Sequence, residues 1–399
     1  MVALRIALIA DVFPPLRSSG AVQLRDLAFE LRRQGHDPCV LVTSPELETG
    51  WRIESWQGLQ VVRLRAPGTK DMGYVRRTLG ELRMPYAMMR NLRLSPLASQ
   101  RWDGVVWYSP SIFLGPMAKA LKTSSVCRSY LIVRDLFPDW AVDMGLMGRG
   151  FSYRMFKAVE SFQYSVADVI GVQSPANLRY FGKWAEKPER RLEVLQNWLA
   201  DAPNTGCSVR IANSALAGRK VFVYAGNMGV AQGTEVLLGL AQRLQPRQDM
   251  GMIFVGRGSK VQGLRARATA MGLDNVAFFD EIEPAEIPGL YAQCHVGVVT
   301  LDPRHSTQNI PGKFLSYLRA GLPVLASVNA GNDLARLIDG ERVGRVCTDG
   351  SADTLYRLAI AMVDGLPAGA GIQDRCKALC ERLFSPEVAA RQIVRALLP

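Results

Sequence analysis

The chain has 399 residues, 48% of them apolar and 21% charged, with a formal net charge of +12 at pH 7. That length exceeds one ordinary core and predicts two domains of about 200 residues each, and the composition excludes a disordered or fibrous chain. No apolar run reaches the ~18 residues a spanning helix needs. The seven scattered cysteines lack paired C-x-x-C spacing, which points to reduced, structural thiols in a cytoplasmic protein.

The N-terminal stretch MVALRIALIADVFPP holds one basic residue within a short apolar run and no small-residue cleavage site. It reads as a first buried strand rather than a signal peptide. Further apolar runs at 38–43, 104–107, 130–133 and 168–172 alternate with amphipathic segments. A polar, turn-rich stretch at 197–218 interrupts the rhythm, which resumes at 221–225, 252–255, 276–279, 296–300 and 323–326. Short, nearly all-apolar strands separated by helices predict parallel sheets covered on both faces. Two such sets give an α/β chain of two doubly wound, Rossmann-like domains, each with its site beyond the carboxyl ends of its strands. The expected divisions are residues 1–200, residues 201–375, and a closing helix at 376–399 that packs back toward the first domain. A cleft between two such domains suits a reaction that joins two substrates.

Most of the excess charge lies in the first half, densest from Arg63 to Arg101, where nine basic residues stand against Asp71 and Glu81. Within it, Arg76, Arg77, Arg83, Arg90 and Arg93 interleave with Leu79, Leu82, Met84, Tyr86, Met88 and Leu92. A basic amphipathic segment of this kind can lie on an anionic membrane surface; the plainer reading is a solvated helix with one face in the core, interrupted by Pro85. Nothing resembles a nucleic-acid-binding motif.

Two motifs carry the chemistry. In VFVYAGNMGVAQG, residues 221–233, an apolar run ends at Gly226 and a glycine-punctuated turn leads into a helix. Gly226, Asn227 and Gly229 let the backbone pass close to a diphosphate, where a Cβ would stand in the way. In IPGKFLSYLRAGLPV, residues 310–324, Pro311 can open a helix with a preset φ and Gly312 permits close backbone approach. Lys313 offers a point charge to a phosphate at the positive end of that helix, and Ser316 follows one turn later. Arg257, between Gly256 and Gly258, stands past the next strand as a second cation. In the first half, Asp135 follows the run YLIVR, where a parallel strand delivers an acidic residue to the site, with Arg134 beside it to tune its ionisation. Ser18, Ser19 and Gly20 form the loop after the first strand, with backbone N–H groups for a donor phosphate. Asp11 is an acceptor-side candidate together with Arg134, and Asp139 is a helix cap. No D-x-D motif, histidine cluster or carboxylate group at metal-ligand spacing is present, so the expected chemistry needs no metal and no cofactor.

The order and spacing of these segments resemble the retaining GT-B glycosyltransferases of family 4. Within that group they are similar to bacterial enzymes that add N-acetylated sugars to O-antigen and other polyprenyl-linked glycans. DVFPPLRSSGA, LAFELRRQGHDPCVLV, RDLFPD, VLQNWLAD, VYAGNMGVAQGTEVLL, FVGRGSKVQGLRARATAMGLDNVAFFDEI, PGKFLSYLRAGLPVLA and CERLFSPEVAARQIVRAL carry the likeness across essentially the whole chain. The resemblance implies a UDP-linked sugar donor held mainly by the second domain, with backbone around Asp280, Glu281 and Ile282 reading the base. It implies a lipid-linked glycan acceptor approaching the first domain, and a peripheral position at the inner face of the cytoplasmic membrane. It also implies attack on the face the diphosphate leaves, with the departing phosphate as base, so that no protein nucleophile is required.

Two departures stand out. Many members have Lys-Gly where this chain has Gln232-Gly233, and the family's E-x7-E positions correspond to Gln308, at the transferred sugar, and Ser316, at the ribose. These leave open an inactive nucleotide-sugar-binding partner, beside the alternative of a sugar-nucleotide epimerase of similar fold. A dinucleotide oxidoreductase is weaker, because Gly256, Gly258 and Gly263 miss the G-x-G-x-x-G spacing.

Overall fold

A computed structural model describes residues 2–16, 18–69, 72–304, 310–365 and 371–398. The chain divides into two compact units, one running up to Trp198 and resuming at Pro386, the other spanning Leu199–Ser385.

The first unit is built on eight strands: β1 Arg5–Ala10, β2 Asp37–Thr43, β3 Trp51–Trp56, β4 Leu59–Leu64, β5 Gly104–Ser109, β6 Arg128–Val133, β7 Val169–Val172 and β8 Arg191–Val194. They lie in the order β3-β4-β2-β1-β5-β6-β7-β8, with Ile9 of β1 opposite Leu41 on one side and Trp107 on the other. Every pairing is parallel except β3–β4. That hairpin is absent from the sequence-based expectation. Its two-residue turn is Gln57-Gly58, both at positive φ, a conformation usually signalled by Asn-Gly. β3 forms the sheet edge, and none of its residues is fully buried.

Helices Ser19–Arg33 and Pro386–Leu397 pack together on one face of this sheet, burying Leu24, Leu27, Leu31, Ala390 and Ile393 against Ile6 and Leu8. Helices Tyr74–Arg93, Gly115–Ser125 and Phe151–Val166 cover the other face through Met84, Met88, Met117 and Phe156. Helix Tyr74–Arg93 runs unbroken through Pro85, contrary to the interruption expected there.

The second unit has six parallel strands: β9 Lys220–Ala225, β10 Met250–Val255, β11 Val276–Phe279, β12 Val296–Thr300, β13 Val324–Ser327 and β14 Gly344–Cys347. Their order is β11-β10-β9-β12-β13-β14. The chain therefore steps outward from β9 in one direction and returns to its other side at β12. Loops leaving the carboxyl ends of β9 and β12 diverge there and open a crevice. Val223 of β9 faces Ile253 and Gly297 across the two pairings, and the four inner strands β10, β9, β12 and β13 are buried on both faces. Burying each large side chain in such a core contributes roughly 1.5–3 kcal/mol.

The return to the first unit starts at Pro386, ten residues later than the expected 376. The physical reason is the apolar stripe of helix Gly371–Phe384: Cys376, Leu379, Cys380 and Phe384 are buried in the second core, with Phe384 set edge-on to Phe314. The six buried cysteines and half-buried Cys127 are all free thiols, and burial raises Cys39 to about 12.

Candidate active site

β9 ends at Ala225, and the next residue, Gly226, has φ +124°. Its N–H donates to Val255 O at 2.8 Å, the Met228 N–H donates to Arg257 O at 2.8 Å, and the Lys260 N–H donates to Met228 O at 3.0 Å. The loops after β9 and β10 are thus laced together by backbone alone. Gly256 (φ +140°) and Gly258 (φ +143°) make this possible, since a Cβ on either would run into the carbonyl oxygens of Gly226 and Met228. Sequence reasoning dismissed these two glycines as a failed dinucleotide motif. Their available signal was their position, just past the strand adjacent to β9. At the far end of the loop the Gln232 side-chain oxygen accepts from the Gly229 N–H at 3.0 Å and from Asn227 Nδ2 at 3.3 Å. The Gly229 N–H is therefore engaged within the loop.

Helix Gly312–Arg319 follows β12. Pro311 is its N-cap rather than its first turn, and its carbonyl accepts from the Phe314 N–H at 2.9 Å. A Cβ on Gly312 would meet none of the described residues within 4 Å, so none of them requires glycine there. Tyr317 pins the helix to β9. Its hydroxyl accepts from the Ala225 N–H at 3.1 Å and lies 3.0 Å from Val223 O, and Gly297 in β12 leaves the space its ring occupies. The sequence reading passed over this anchor, which places Lys313 one turn earlier in the helix.

Lys313 reaches over the Tyr224 ring, with Nζ 3.4 Å from the ring centroid and beside Gly226. Nζ is buried and has no hydrogen-bond partner among the described residues. Burial holds its pKa well below the usual lysine value. A desolvated cation–π contact is worth about 2 kcal/mol, too little to replace the hydration of an ammonium. The N-terminal end of the helix dipole adds a like charge beside it. Everything at this point is positive, and the complement it lacks is an anion. Ser316 sits one turn on, its hydroxyl 3.3 Å from Gly312 O.

The structure brings two other candidates together: Arg257 Nη1 lies 3.2 Å from Glu281 Oε2, both well exposed. An exposed pair like this stabilises by at most about 1 kcal/mol, so either group can be recruited by a ligand at little cost. Gln308 lies outside the described residues.

In the first unit, Ser18 is the N-cap of helix Ser19–Arg33, its hydroxyl accepting from the Ala21 N–H at 3.3 Å. Gly20 lies against Tyr108, where a Cβ would sit 3.1 Å from the ring. Asp135 is half-buried past the end of β6, and Asp11 occupies the same place after β1. Arg134 is not an acceptor contact. It is buried, donates from Nη1 to Leu195 O at 2.7 Å and from Nη2 to Gln196 O at 3.3 Å, and lies over the Trp198 ring. Its position at the end of a central strand puts it beneath the surface, where it binds the departing chain. Asp139 does not act as a cap either: Tyr153 donates to it at 2.8 Å and Lys157 Nζ lies 3.0 Å away.

Helix Tyr74–Arg93 presents Tyr74 (88% exposed) and Val75 (75%) in its first turn, followed by exposed Arg76. Leu146 (67%) and Phe151 (84%), which sequence reasoning did not single out, stand at the start of helix Phe151–Val166 with Arg149 and Arg154 nearby in the chain. Both helices run back to the amino end of the sheet, so these apolar tips share its carboxyl end. No helix among the described residues is long and apolar enough to cross a membrane.

Residues 219–364 match the family model "Glycosyl transferases group 1", and residues 20–198 match "Glycosyl transferase 4-like domain". The chain is 30% identical over 243 residues to the probable glycosyltransferase WbjE of Pseudomonas aeruginosa, covering 57% of this chain and 58% of that protein. It is 25% identical over 335 residues to WcaI of Escherichia coli, a putative colanic acid biosynthesis glycosyl transferase, covering 77% and 79%. Among solved structures it is similar to HepE of Anabaena in complex with UDP and glucose, with a TM-score of 0.68, 15% identity and 99% of both chains covered. With both sheets, the loops at β9 and β12 and the two family matches in agreement, the chain belongs to the group 1, family 4 glycosyltransferases of the GT-B fold.

Proposed function

We propose that this protein transfers an N-acetylated sugar, with retention, from a UDP-linked donor to a polyprenyl-linked glycan during assembly of O-antigen or a related surface polysaccharide. The observation that carries the reading is Lys313: a buried ammonium without a hydrogen-bond partner among the described residues, at a helix N-terminus, beside a glycine turn. A donor diphosphate supplies the missing anion. The name of WbjE supports sugar transfer, that of WcaI polysaccharide assembly, and the ligands bound to HepE support UDP.

In this reading the second unit holds the donor. Backbone around Gly226 and Asn227 and the Pro311-Gly312 helix start approach the diphosphate, Ser316 faces the ribose, and the chain at Glu281 reads the base. Lys313 and Arg257 stabilise the negative charge that grows on the leaving diphosphate. Groups held in place before reaction do this most effectively, because none of them has to reorganise as the bond breaks. The freed phosphate oxygen accepts the acceptor's proton. The first unit takes the acceptor, with Asp135 and Asp11 accepting hydrogen bonds from sugar hydroxyls, and rests on the inner leaflet through its basic helix and apolar tips.

The test has two parts. Thermal stabilisation by UDP, but not ADP, in the wild type and its loss in Lys313→Ala supports the donor site. Product analysis with a UDP-N-acetylhexosamine and a polyprenyl-linked glycan then separates transfer from epimerisation and from binding without turnover. Stabilisation by NAD alone, or sugar epimerised without acceptor, rejects the proposal.

A further inference from the structure

The loop Gly226–Gly233 contains no charged residue, and Lys313 serves only its Gly226 end. Arg257 stands past β10, beside the start of the loop, which leaves its Gly233 end without a cation of its own. A neighbouring segment supplies one there. Gly233, at φ +57°, brings the loop against the segment leaving β12, where a Cβ would sit 3.1 Å from Asp302 Cα. The Asp302 N–H donates to Ala231 O at 3.0 Å, which fixes Asp302 to the loop. Its largely buried carboxylate in turn grips Arg304: Nε donates to Oδ1 at 2.9 Å, Nη2 to Oδ2 at 2.8 Å, and the Arg304 N–H to Oδ1 at 2.9 Å. This fork-on-fork pair orients the guanidinium plane. It leaves Nη1 without a partner among the described residues, on a side chain that is itself exposed.

We propose that Arg304, mounted on the glycine loop by Asp302, is a further cation for the donor diphosphate, beside Lys313 and Arg257, and that it selects nucleoside diphosphates over the bare nucleoside. The proposal rests on the nucleotide-donor reading and adds a residue that the sequence motifs did not single out. Asp302 acts as a positioning residue: it neither meets the ligand nor lowers the reach of Nη1, but it removes most of the entropy cost of holding a long side chain in one place.

The experiment measures binding of UDP and uridine by calorimetry for the wild type, Arg304→Ala, Arg304→Lys, Asp302→Asn and Lys313→Ala, each checked for an unchanged unfolding transition. Arg304→Ala should weaken UDP about tenfold, the worth of one charge-assisted hydrogen bond, while leaving uridine unchanged. Arg304→Lys should recover part of the loss, since the charge returns without the fork. Asp302→Asn should fall between wild type and Arg304→Ala. If Lys313→Ala loses UDP while Arg304→Ala keeps wild-type affinity, or if uridine weakens as much as UDP, Arg304 has no such role. If the wild type binds neither UDP nor GDP, the nucleotide-donor reading falls and takes this proposal with it.

Discussion

Each unit buries a cation near the carboxyl end of its central strands, and the two are held in opposite ways. In the first unit Arg134 gives two N–H groups to the carbonyls of Leu195 and Gln196 and stacks on Trp198. In the second, Lys313 has the Tyr224 ring and, among the described residues, no hydrogen-bond acceptor. Burying a charge costs several kcal/mol in either place. Arg134 recovers part of that cost inside the chain, through two backbone carbonyls, while its buried Nε has no partner among the described residues. Lys313 does not, so its cost persists until something anionic arrives. A buried cation tied to the backbone by two acceptors is architecture; one with no acceptor among the described residues is a receptor.

The largest test of this contrast exchanges the two cations for uncharged side chains. Arg134→Ala orphans two buried carbonyls and opens space under Trp198, and should cost about 3–5 kcal/mol in urea unfolding. Lys313→Met removes a charge that nothing compensates, and should leave stability unchanged or raise it by about 1 kcal/mol while abolishing the UDP-induced shift. Equal destabilisation by the two would erase the distinction.

A smaller effect lies in the pH dependence of binding. Burial lowers the pKa of Lys313 in the free protein, and a bound diphosphate favours the ammonium and raises it. Binding above the free-protein pKa must then take up a proton, and affinity must decline as pH rises through that range. Calorimetry in buffers of different ionisation enthalpy should register this uptake in the wild type and not in Lys313→Met, whose signal reports the nucleotide's own titration. Identical proton counts would mean that Lys313 is already charged when free.

The smallest effect concerns a device the two units share. His36 and His295 each precede a strand and accept, through Nδ1, the N–H of a residue at the start of the adjacent strand, Leu4 at 3.2 Å and Val221 at 3.1 Å. Burial, first among the causes, lowers both pKa values from 6.5. A lowered histidine pKa means the unfolded chain binds more protons, so stability is full above pH 6.5 and is lost as pH falls toward the folded-state values. His295→Ala should cost about 1 kcal/mol at pH 7 and flatten the fall in stability between pH 7 and pH 5. A slope unchanged in both His36→Ala and His295→Ala would place acid sensitivity elsewhere.

The motifs at Gly226 and Lys313 were legible because their chemistry is local: a glycine turn after a buried strand, then proline, glycine and lysine opening a helix. The glycines at 256 and 258 were visible but misread, since their purpose is contact with a second loop thirty residues upstream. Arg134 was misassigned because sequence places it beside Asp135, and adjacency along a strand end says nothing about which residue turns outward. Arg304 was not singled out because its partner, Asp302, acquires its role from Ala231 and Gly233, about seventy residues away. The β3–β4 hairpin went unseen because Gln57-Gly58 adopts a turn that its composition only weakly signals.

By itself the sequence determined the alternation of buried strands and amphipathic helices, hence two doubly wound sheets, because hydrophobic period and chain length follow from local side-chain chemistry. Tertiary structure alone decided which cations are satisfied, which backbone N–H groups remain available, and where the chain crosses back at Pro386. Those outcomes depend on distances between loops far apart in the chain, and no local pattern encodes whether a buried charge meets its acceptor.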